Sequence, residues 1–339
     1  MEKVIKTGIL AYGMSGKVFH APFLEAHPGF ELAAVTERHH QNAALDYPQI
    51  KSYPSVEDLL NDESLALVVI NTPNYTHFDY AKRALEKGKH IIVEKPFAAT
   101  AAEAQILFNL AREKGKQVFV YQNRRWDSDF KSVRKILEQG VLGRLSEVHI
   151  RYDRYRPAIS PKTFKEEPMA ASGMQYDLGP HLLDQAISLF GQPLSHHKIL
   201  SKVRKDTQVD DYFSIYLAYP NNVNVFVHSN ILVADIQPAF VLHGEKGSFI
   251  KGRTDVQEAQ LLKGMKALDP GYGLEEENSG GILTQVDEEG HKTRTIIPSE
   301  EGRYMDLFEA IYRSLVHGDA FPVKEEQVLW QLQILEADH

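Results

Sequence analysis

The first third of the chain alternates short apolar strands with helices, and this alternation limits the possible folds more than any other feature. Predicted strands lie at 4–11, 31–36, 66–70, 91–94 and 117–121. Predicted helices lie at about 18–27, 55–60 and 76–87, with a further one from Thr100 onward. Two of these helices start with a capping box, formed by Ser55 with Asp58 and by Thr100 with Glu103. Such units, joined by short loops, form a parallel sheet with helices on both faces. We therefore predict an α/β fold that begins with a doubly wound parallel sheet.

A glycine turn follows the first predicted strand. Ala11-x-Gly13-x-x-Gly16 matches a dinucleotide-binding turn, with Ala in the first glycine position. Its glycines let the backbone approach a pyrophosphate, which is then held by helix N–H groups. An ordinary strand–helix turn is the structural alternative, and the regular alternation that follows favours cofactor binding. Ligands on such sheets bind beyond the carboxyl ends of the strands, where Gly13, Glu37, Thr72 and Lys95 are expected.

Two adjacent residues bear on the choice between NAD and NADP. Glu37 lies 24 residues after Gly13, close to where an acidic side chain bonds the ribose 2′-hydroxyl of NAD. The neighbouring Arg38 is suited to a 2′-phosphate. The sequence predicts NAD(P) as the cofactor and favours NAD over NADP.

The strand that starts at Ile91 ends in Glu94-Lys95-Pro96. An ammonium group is rarely buried without a partner, so a lysine at the end of a buried strand is either paired or used chemically. An ion pair with Glu94 or a helix end is the structural alternative. Near a cofactor, the same lysine is a candidate acid–base or electrostatic catalyst.

Length and composition set the remaining limits. A chain of 339 residues is expected to form two domains, and the pattern changes near residue 122, which predicts domains at 1–122 and 123–339. A net charge of −8 and a pI near 6.0 argue against nucleic-acid and anionic-membrane partners. Cysteine is absent, no apolar run is long enough to span a membrane, and no signal peptide is evident. We therefore expect a cytoplasmic protein, and no metal site is predicted.

Strands without intervening helices dominate after residue 145, which predicts a large, mostly antiparallel sheet in an α+β domain. Within this part, Asp177 lies just before a predicted helix with Pro180 in its first turn. It is within reach of His181, and an Asp–His pair commonly orients an imidazole for proton transfer. Helical spacing places His181, Asp184, Gln185 and Ser188 on one polar face, which we expect to line a wet region. A solvated helix face is the structural alternative, and a metal site is disfavoured.

Several other segments are less specific. Residues 151–157 concentrate arginine and tyrosine, which suits hydroxyl or anion binding or, alternatively, an exposed ion-pair network. The irregular stretch 264–281 is interpreted as a mobile lid or a disordered surface loop. The pairs His39-His40 and His196-His197 are expected at the surface, and 304–316 and 324–336 as amphipathic helices.

Five motifs in fixed order resemble the Gfo/Idh/MocA oxidoreductases over nearly the whole chain. They are the glycine turn followed by His20-Ala21-Pro22, Thr72-Pro73-Asn74-x-x-His77, Glu94-Lys95-Pro96, Asn123-Arg124-Arg125-Trp126 and Asp177-x-Gly179-x-His181-x-x-Asp184. The Asn-Arg-Arg-Trp-Asp and Arg-Tyr-Arg-Pro segments look most like the scyllo-inositol dehydrogenase branch. The resemblance implies a Rossmann domain, a substrate-binding second domain whose open sheet forms homodimers or homotetramers, and a cis bond before Pro96.

The resemblance also implies roles for matching residues. Lys95 would bond the substrate hydroxyl and stabilise alkoxide charge, His181 would accept its proton, and Asp177 would orient this pair. The expected cofactor-binding residues are Ala11, Gly13, Met14, Ser15, Gly16, Glu37, Arg38, Thr72, Pro73, Asn74, His77, Glu94 and Lys95. The expected substrate-binding residues are Asn123, Arg124, Trp126, Tyr152, Arg154 and Asp184.

The expected reaction is therefore hydride transfer between a secondary alcohol of a cyclic polyol or sugar and NAD(P). The prediction depends on Lys95 and His181 converging on one cavity. A cofactor-binding sensor without turnover, and a dehydrogenase of a phosphorylated or acidic sugar, are the alternatives.

Overall fold

A computed structural model describes residues 3–38, 41–160 and 166–338 of the chain. Its strands are β1 (Ile5–Ile9), β2 (Phe30–Thr36), β3 (Lys51–Tyr53), β4 (Leu67–Ile70), β5 (His90–Val93), β6 (Val118–Val120), β7 (Leu145–Arg151), β8 (Ser195–Ser201), β9 (Tyr212–Tyr219), β10 (Val223–Asn230), β11 (Phe240–Gly244), β12 (Gly247–Lys251), β13 (Gly281–Val286) and β14 (Lys292–Ile297). Its α-helices are α1 (Ala21–Ala26), α2 (Ala43–Asp46), α3 (Val56–Leu60), α4 (His77–Glu86), α5 (Ala101–Lys114), α6 (Ser128–Glu138), α7 (Met174–Asp177), α8 (Gly179–Phe190), α9 (Gln257–Leu262), α10 (Met305–His317) and α11 (Glu325–Glu336).

The first six strands form a parallel sheet in the order β3-β2-β1-β4-β5-β6. Every residue of β4 is buried, as expected for a continuous apolar strand that is covered on both faces. The strand order reverses between β1 and β4, which creates the crevice where ligands bind in such sheets. The predicted doubly wound sheet is confirmed.

Both predicted capping boxes start helices. The Ser55 hydroxyl accepts a hydrogen bond from the Asp58 amide at 3.1 Å, and α3 begins at the next residue. The Thr100 hydroxyl accepts one from the Glu103 amide at 3.1 Å at the start of α5. These bonds satisfy amide groups that have no partner inside the first turn of a helix.

The other eight strands form one sheet in the order β14-β13-β12-β11-β7-β10-β9-β8. All pairs are antiparallel except β7 with β10, so the predicted mostly antiparallel sheet is also confirmed. Along β9, buried and half-buried residues alternate strictly. This alternation arises because successive side chains of a strand point to opposite faces of the sheet.

The chain divides into two compact units that are discontinuous in sequence. Unit 1 comprises 1–123, 257–272 and 303–329, and unit 2 comprises 124–256, 273–302 and 330–339. The two predicted domains, 1–122 and 123–339, are instead each a single continuous segment of the sequence. The difference arises because later segments pack on the first sheet's helices: Phe308 of α10 stacks on Phe23 of α1 with 5.2 Å between ring centroids. Sequence periodicity identified α10 as amphipathic, but periodicity does not specify the partner of an apolar face.

The stretch 264–281 is anchored at Glu275. The Lys251 ammonium donates to the Glu275 carboxylate at 2.7 Å and to the hydroxyls of Thr254 and Ser299 at 2.6 and 2.8 Å. The side chains of this ion pair are 0% and 1% exposed, so part of the irregular stretch is fixed in the interior of unit 2. The lid interpretation stays a prediction.

Two smaller expectations concern histidines and membranes. His196 and His197 are exposed on β8, as predicted, whereas His39 and His40 lie outside the described residues. Within the described ranges, the helices are too short or too polar to cross a bilayer.

Candidate functional site

The glycine turn after β1 is held in place by Asn71, which follows β4. The Asn71 side chain accepts a hydrogen bond from the Ala11 amide at 3.1 Å and donates to the Ala11 carbonyl at 2.8 Å. A Cβ atom on Gly16 would lie 2.1 Å from that same carbonyl oxygen, so only glycine fits there. Nothing local in the sequence pairs Asn71 with a residue 60 positions earlier, so its role was not predicted.

Gly13 has the opposite environment. A Cβ atom added to it would meet nothing within 4 Å, which leaves the backbone open to a close approach by a ligand. A cavity of about 450 Å³ adjoins the turn, and it is lined by Leu10, Ala11, Tyr12, Thr36, Glu37, Arg38, Asn42, Val56, Thr72, Pro73, Tyr75, Thr76 and Tyr80. Its position beyond the strand ends, together with the open glycine, fits a dinucleotide.

Glu37 and Arg38, which bear on cofactor choice, both line this cavity. The Glu37 carboxylate accepts hydrogen bonds from the Asn42 amide at 3.0 Å and from the Ser52 hydroxyl at 3.0 Å. The Ala43 amide contacts both carboxylate oxygens, at 3.4 and 3.2 Å. Three donors therefore engage this carboxylate, which has roughly four acceptor positions, at the start of α2. Arg38 is exposed.

Glu94 connects the glycine turn with Lys95. Its carboxylate accepts a hydrogen bond from the Ser15 hydroxyl at 2.7 Å and lies 2.9 Å from Nε2 of His20, whose side chain is 0% exposed. The Lys95 amide also donates to it, at 3.3 Å. Although burial alone would raise the pKa of Glu94, the contacts with His20, then Ser15 and Lys95, hold this pKa below its usual value. Glu94 is therefore an ionised group between the two predicted functional segments.

A single π-helical turn, Gly16–His20, brings His20 to this carboxylate. The imidazole ring packs on Tyr121 with 4.3 Å between centroids, and the Tyr121 hydroxyl donates to the Phe19 carbonyl at 2.7 Å. In the sequence, His20 stands out only as part of a family motif. Its partner Glu94 lies 74 residues later, so no local signal predicted the contact.

His77 has a structural position. It is fully buried, with Nδ1 2.7 Å from the Pro96 carbonyl and Nε2 2.8 Å from the Thr72 carbonyl. Burial lowers the pKa of His77. Its ring thus joins the two loops that follow β4 and β5. A direct contact between His77 and a cofactor was predicted, whereas the structure buries this side chain between the loops. The Lys95–Pro96 bond is cis, as the resemblance implies.

In unit 2, Asp177 and His181 lie at the junction of α7 and α8. Asp210 fixes this junction: its carboxylate accepts from the Gln175 amide at 2.7 Å, and its carbonyl accepts from the Met174 amide at 2.8 Å. Burial raises the pKa of Asp210 to about 6. The Asp177 carboxylate lies 3.6 Å from the Arg154 guanidinium, and the His181 amide donates to Leu178 in the first turn of α8.

The polar side of α8 is buried, so the expectation that it lines a wet region is wrong. His181, Asp184 and Gln185 are 6%, 3% and 0% exposed. Asp184 forms a bidentate pair with Arg125, with both N–O distances 2.7 Å. Helical spacing identified the face correctly, but it does not reveal what covers that face.

The predicted substrate-binding residues of unit 2 fall into two groups. Tyr152, Arg154 and Arg124 lie together, because both guanidiniums pack over the Tyr152 ring. Asp184 is separately engaged with Arg125, and Trp126 is half-buried. Arg253, which also packs over Tyr152, was not identified from the sequence. Asn123 belongs to unit 1 and is buried.

The remaining predicted cofactor residues are all in unit 1. Ala11, Glu37, Arg38, Thr72 and Pro73 line the 450 Å³ cavity. Met14 is exposed and Asn74 half-buried at the start of a 3₁₀ turn. Lys95 is half-buried, directly beyond the carboxyl end of β5.

The parallel sheet, its glycine turn and the adjoining cavity define an NAD(P)-binding oxidoreductase. Residues 5–122 match the oxidoreductase family with an NAD-binding Rossmann fold, and residues 130–250 match the GFO/IDH/MocA C-terminal domain. The chain belongs to the Gfo/Idh/MocA family of oxidoreductases.

The chain is similar to several known proteins, and the similarity covers nearly the whole length of both sequences. The chain is 39% identical to the uncharacterized oxidoreductase C115.03 of Schizosaccharomyces pombe, covering 98% of this chain and 96% of that protein. It is 34% identical to the scyllo-inositol 2-dehydrogenase (NADP(+)) IolW of Bacillus subtilis, with coverage of 98% and 92%. A crystal structure of an oxidoreductase from Bacillus cereus superimposes with a TM-score of 0.90 at 34% identity, with coverage of 98% and 95%.

Proposed function

We propose that this protein transfers a hydride between a secondary alcohol of a cyclic polyol or sugar and NAD(P). The observation that carries the proposal is the position of Lys95, which follows a Glu94 carboxylate that is bonded to Ser15 in the dinucleotide-binding turn. The name of the Bacillus subtilis relative, a scyllo-inositol dehydrogenase, supports a cyclic polyol.

The proposed roles follow from the chemistry of each side chain. Lys95 binds the reacting hydroxyl and stabilises the negative charge that develops on its oxygen. His181 accepts the hydroxyl proton as general base, and Asp177 orients these groups. When bound, the oxidised nicotinamide supplies the hydride acceptor. Asp184 acts through Arg125 as a positioning residue, while Asn123, Arg124, Trp126, Tyr152 and Arg154 are the proposed substrate contacts.

Replacement of the two proposed catalytic groups tests this assignment. Lys95→Ala and His181→Ala are each expected to lower kcat/KM by about 10²–10⁴-fold, because general acid–base groups contribute that much. The Kd for the cofactor should change by only a few-fold. The readout is nicotinamide absorbance with a panel of inositols, polyols and sugars, measured with both NAD and NADP.

Lys6→Ala and His291→Ala are suitable controls, because both side chains are exposed, at 46% and 79%. Neither change should affect turnover. Full activity in Lys95→Ala or His181→Ala would refute the proposed roles.

We further propose that the cofactor is NADP rather than NAD, contrary to the preference drawn from the sequence. The Glu37 carboxylate is already engaged by the amides of Asn42 and Ala43 and by Ser52, which leaves little acceptor capacity for a ribose 2′-hydroxyl. Arg38 at the same cavity supplies donors for a 2′-phosphate.

Arg38→Ala is expected to weaken NADPH binding at least about tenfold, since hydrogen bonds to charged groups contribute about 1.5–3 kcal/mol. NADH binding should stay nearly unchanged. Cofactor fluorescence titrations give both Kd values, and tighter binding of NADH than NADPH by the unaltered protein would contradict the proposal.

We also propose a homo-oligomer formed through the sheet of unit 2. On the sheet face that carries Phe226, His149 stacks at 5.0 Å between centroids and Tyr216 packs at 5.3 Å. These rings are half-buried, whereas the residues on either side of each ring along its strand are buried. A half-exposed aromatic face of this kind is typical of a protein–protein interface.

A further inference from the structure

Three arginines from different segments surround the ring of Tyr152 in unit 2. Tyr152 directly follows β7, and Arg154 lies two residues later. Arg124 comes from the 3₁₀ turn at 123–126, and Arg253 follows β12. The guanidinium carbons of Arg124, Arg154 and Arg253 lie 5.2, 4.8 and 4.5 Å from the ring centroid. All three distances are within the range of a cation–π contact.

The backbone fixes this arrangement. The Tyr152 amide donates to the His228 carbonyl at 3.1 Å, and the Ser229 hydroxyl donates to the Tyr152 carbonyl at 2.6 Å. The Arg154 amide donates to the Asn230 carbonyl at 3.0 Å. The strand β10 therefore fixes the backbone of the segment that carries Tyr152 and Arg154.

The neighbouring carboxylates compensate the three positive charges unevenly. Asp127 lies 3.1 Å from the Arg124 guanidinium. The distances from Asp177 to Arg154 and from Asp129 to Arg253 are 3.6 and 4.0 Å, which exceed the length of a hydrogen bond. The side chains of Arg124, Arg154 and Arg253 are only 13%, 24% and 15% exposed, so solvent screens their charge incompletely.

The pKa of Tyr152 reports the sign of the potential at its hydroxyl. Burial alone would raise this pKa, but the charges of Arg124, Arg154 and Arg253 lower it. At Asp127, by contrast, burial and then the negative charge of Asp255 raise the pKa well above its usual value. The surroundings of the Tyr152 hydroxyl therefore favour negative charge.

The donor set indicates which ligand fits. Guanidinium groups only donate hydrogen bonds, and their planar geometry matches the paired oxygens of a carboxylate or phosphate. A neutral polyol carries no such paired, charged oxygens. We infer that the substrate carries a carboxylate or phosphate group, which Arg124, Arg154 and Arg253 bind beside Tyr152. The inference rests on the proposed dehydrogenase function and adds the charge class of its substrate.

Binding measurements on the full chain test this inference without relying on turnover. Isothermal titration calorimetry would compare glucuronate and glucose 6-phosphate with glucose. We expect at least one of the two anionic sugars to bind about tenfold or more tightly than glucose, because charge-assisted hydrogen bonds contribute about 1.5–3 kcal/mol. The tighter of the two anions identifies carboxylate or phosphate as the preferred group.

Substitutions then locate the binding site. Arg253→Gln and Arg154→Gln are each expected to weaken anion binding about tenfold, with little change for glucose. Arg144→Gln is the matched control, because Arg144 pairs with Glu245 at the surface, where both side chains are more than half exposed. Thermal unfolding checks that the variants are folded, and Arg154, the most exposed of the three, provides a second test if Arg253→Gln is unstable.

The possible outcomes separate this inference from the proposed function. Three results would mean that the arginines form only an ion-pair network. They are equal affinity for glucose and both anions, no measurable binding of either anion, and unchanged anion binding in both folded variants. Turnover of neutral polyols without anion preference would also overturn the inference while leaving the proposed function intact. The proposed function would instead be refuted if the variants lost anion binding but no sugar supported hydride transfer.

Discussion

The two glycines of the turn after β1 have different environments, and so they serve different purposes. Gly16 is packed against the Ala11 carbonyl, which is itself held by Asn71. Gly13 faces open space. The same residue type thus allows close packing of the protein at one position and leaves room for a ligand at the other.

A matched pair of alanine substitutions separates these roles. Gly16→Ala should destabilise the protein by about 1–3 kcal/mol, because its Cβ atom would overlap backbone. Gly13→Ala should change the free energy of unfolding by less than about 0.5 kcal/mol and yet weaken dinucleotide binding severalfold. Urea unfolding and cofactor fluorescence measure the two effects. Unchanged cofactor binding in Gly13→Ala would show that the pyrophosphate does not approach this residue.

At the scale of elements, β5 combines a half-buried histidine with the Lys95 segment. The Gln117 amide donates a hydrogen bond to Nδ1 of His90 at 3.1 Å, which requires that nitrogen to be unprotonated. Burial, and then the positive charges of Lys116 and Lys3, lower the pKa of His90 to about 4. The strand is therefore stabilised by a neutral imidazole.

The stability of unit 1 should accordingly depend on pH through His90. The pKa of His90 in the folded protein lies below the ordinary value of about 6.5. The stability that the neutral imidazole contributes is therefore fully present above pH 6.5, and it is lost as the pH falls toward 4. His90→Asn keeps an acceptor near Nδ1 without titrating, and this variant should lose less stability between pH 7 and pH 5 than the unaltered protein. Urea midpoints at both pH values provide the measurement.

His291→Asn is the control for this experiment, because its side chain is 79% exposed in the turn between β13 and β14. Its pH dependence should equal that of the unaltered protein. An equal loss of stability in His90→Asn and the unaltered protein would contradict the assignment of this acid sensitivity to His90.

At the scale of the whole molecule, the proposed interface occupies the half-exposed face of the eight-stranded sheet. Phe226 contacts both His149 and Tyr216 there. A charge in the centre of such a face would be buried on association, which is costly without a partner. Interface formation should therefore be sensitive to a single acidic substitution.

Phe226→Glu is expected to shift the protein from a dimer or larger oligomer to a monomer, measured by light scattering after size exclusion. Ile106→Glu is the control, because Ile106 is 48% exposed on α5 in the other unit. A monomeric unaltered protein, or an unchanged mass in Phe226→Glu, would exclude this face as the interface.

The sequence by itself determined the class of each sheet, the starts of α3 and α5, and the positions of the glycine turn and of Lys95. These features are local, because strand alternation, capping boxes and turn glycines act over a few neighbouring residues. For the same reason, the sequence identified the polar face of α8 but was wrong about its exposure, which depends on segments far away in the chain.

Only the tertiary structure decided which distant side chains meet. It paired Asn71 with Ala11, His20 with Glu94, and Arg253 with Tyr152, and it joined α10 to the first unit. It also showed the Glu37 carboxylate engaged by its own loop, which is the observation behind the proposal of NADP. Contacts of this kind depend on how complete elements pack, and no periodicity within one element specifies its partners.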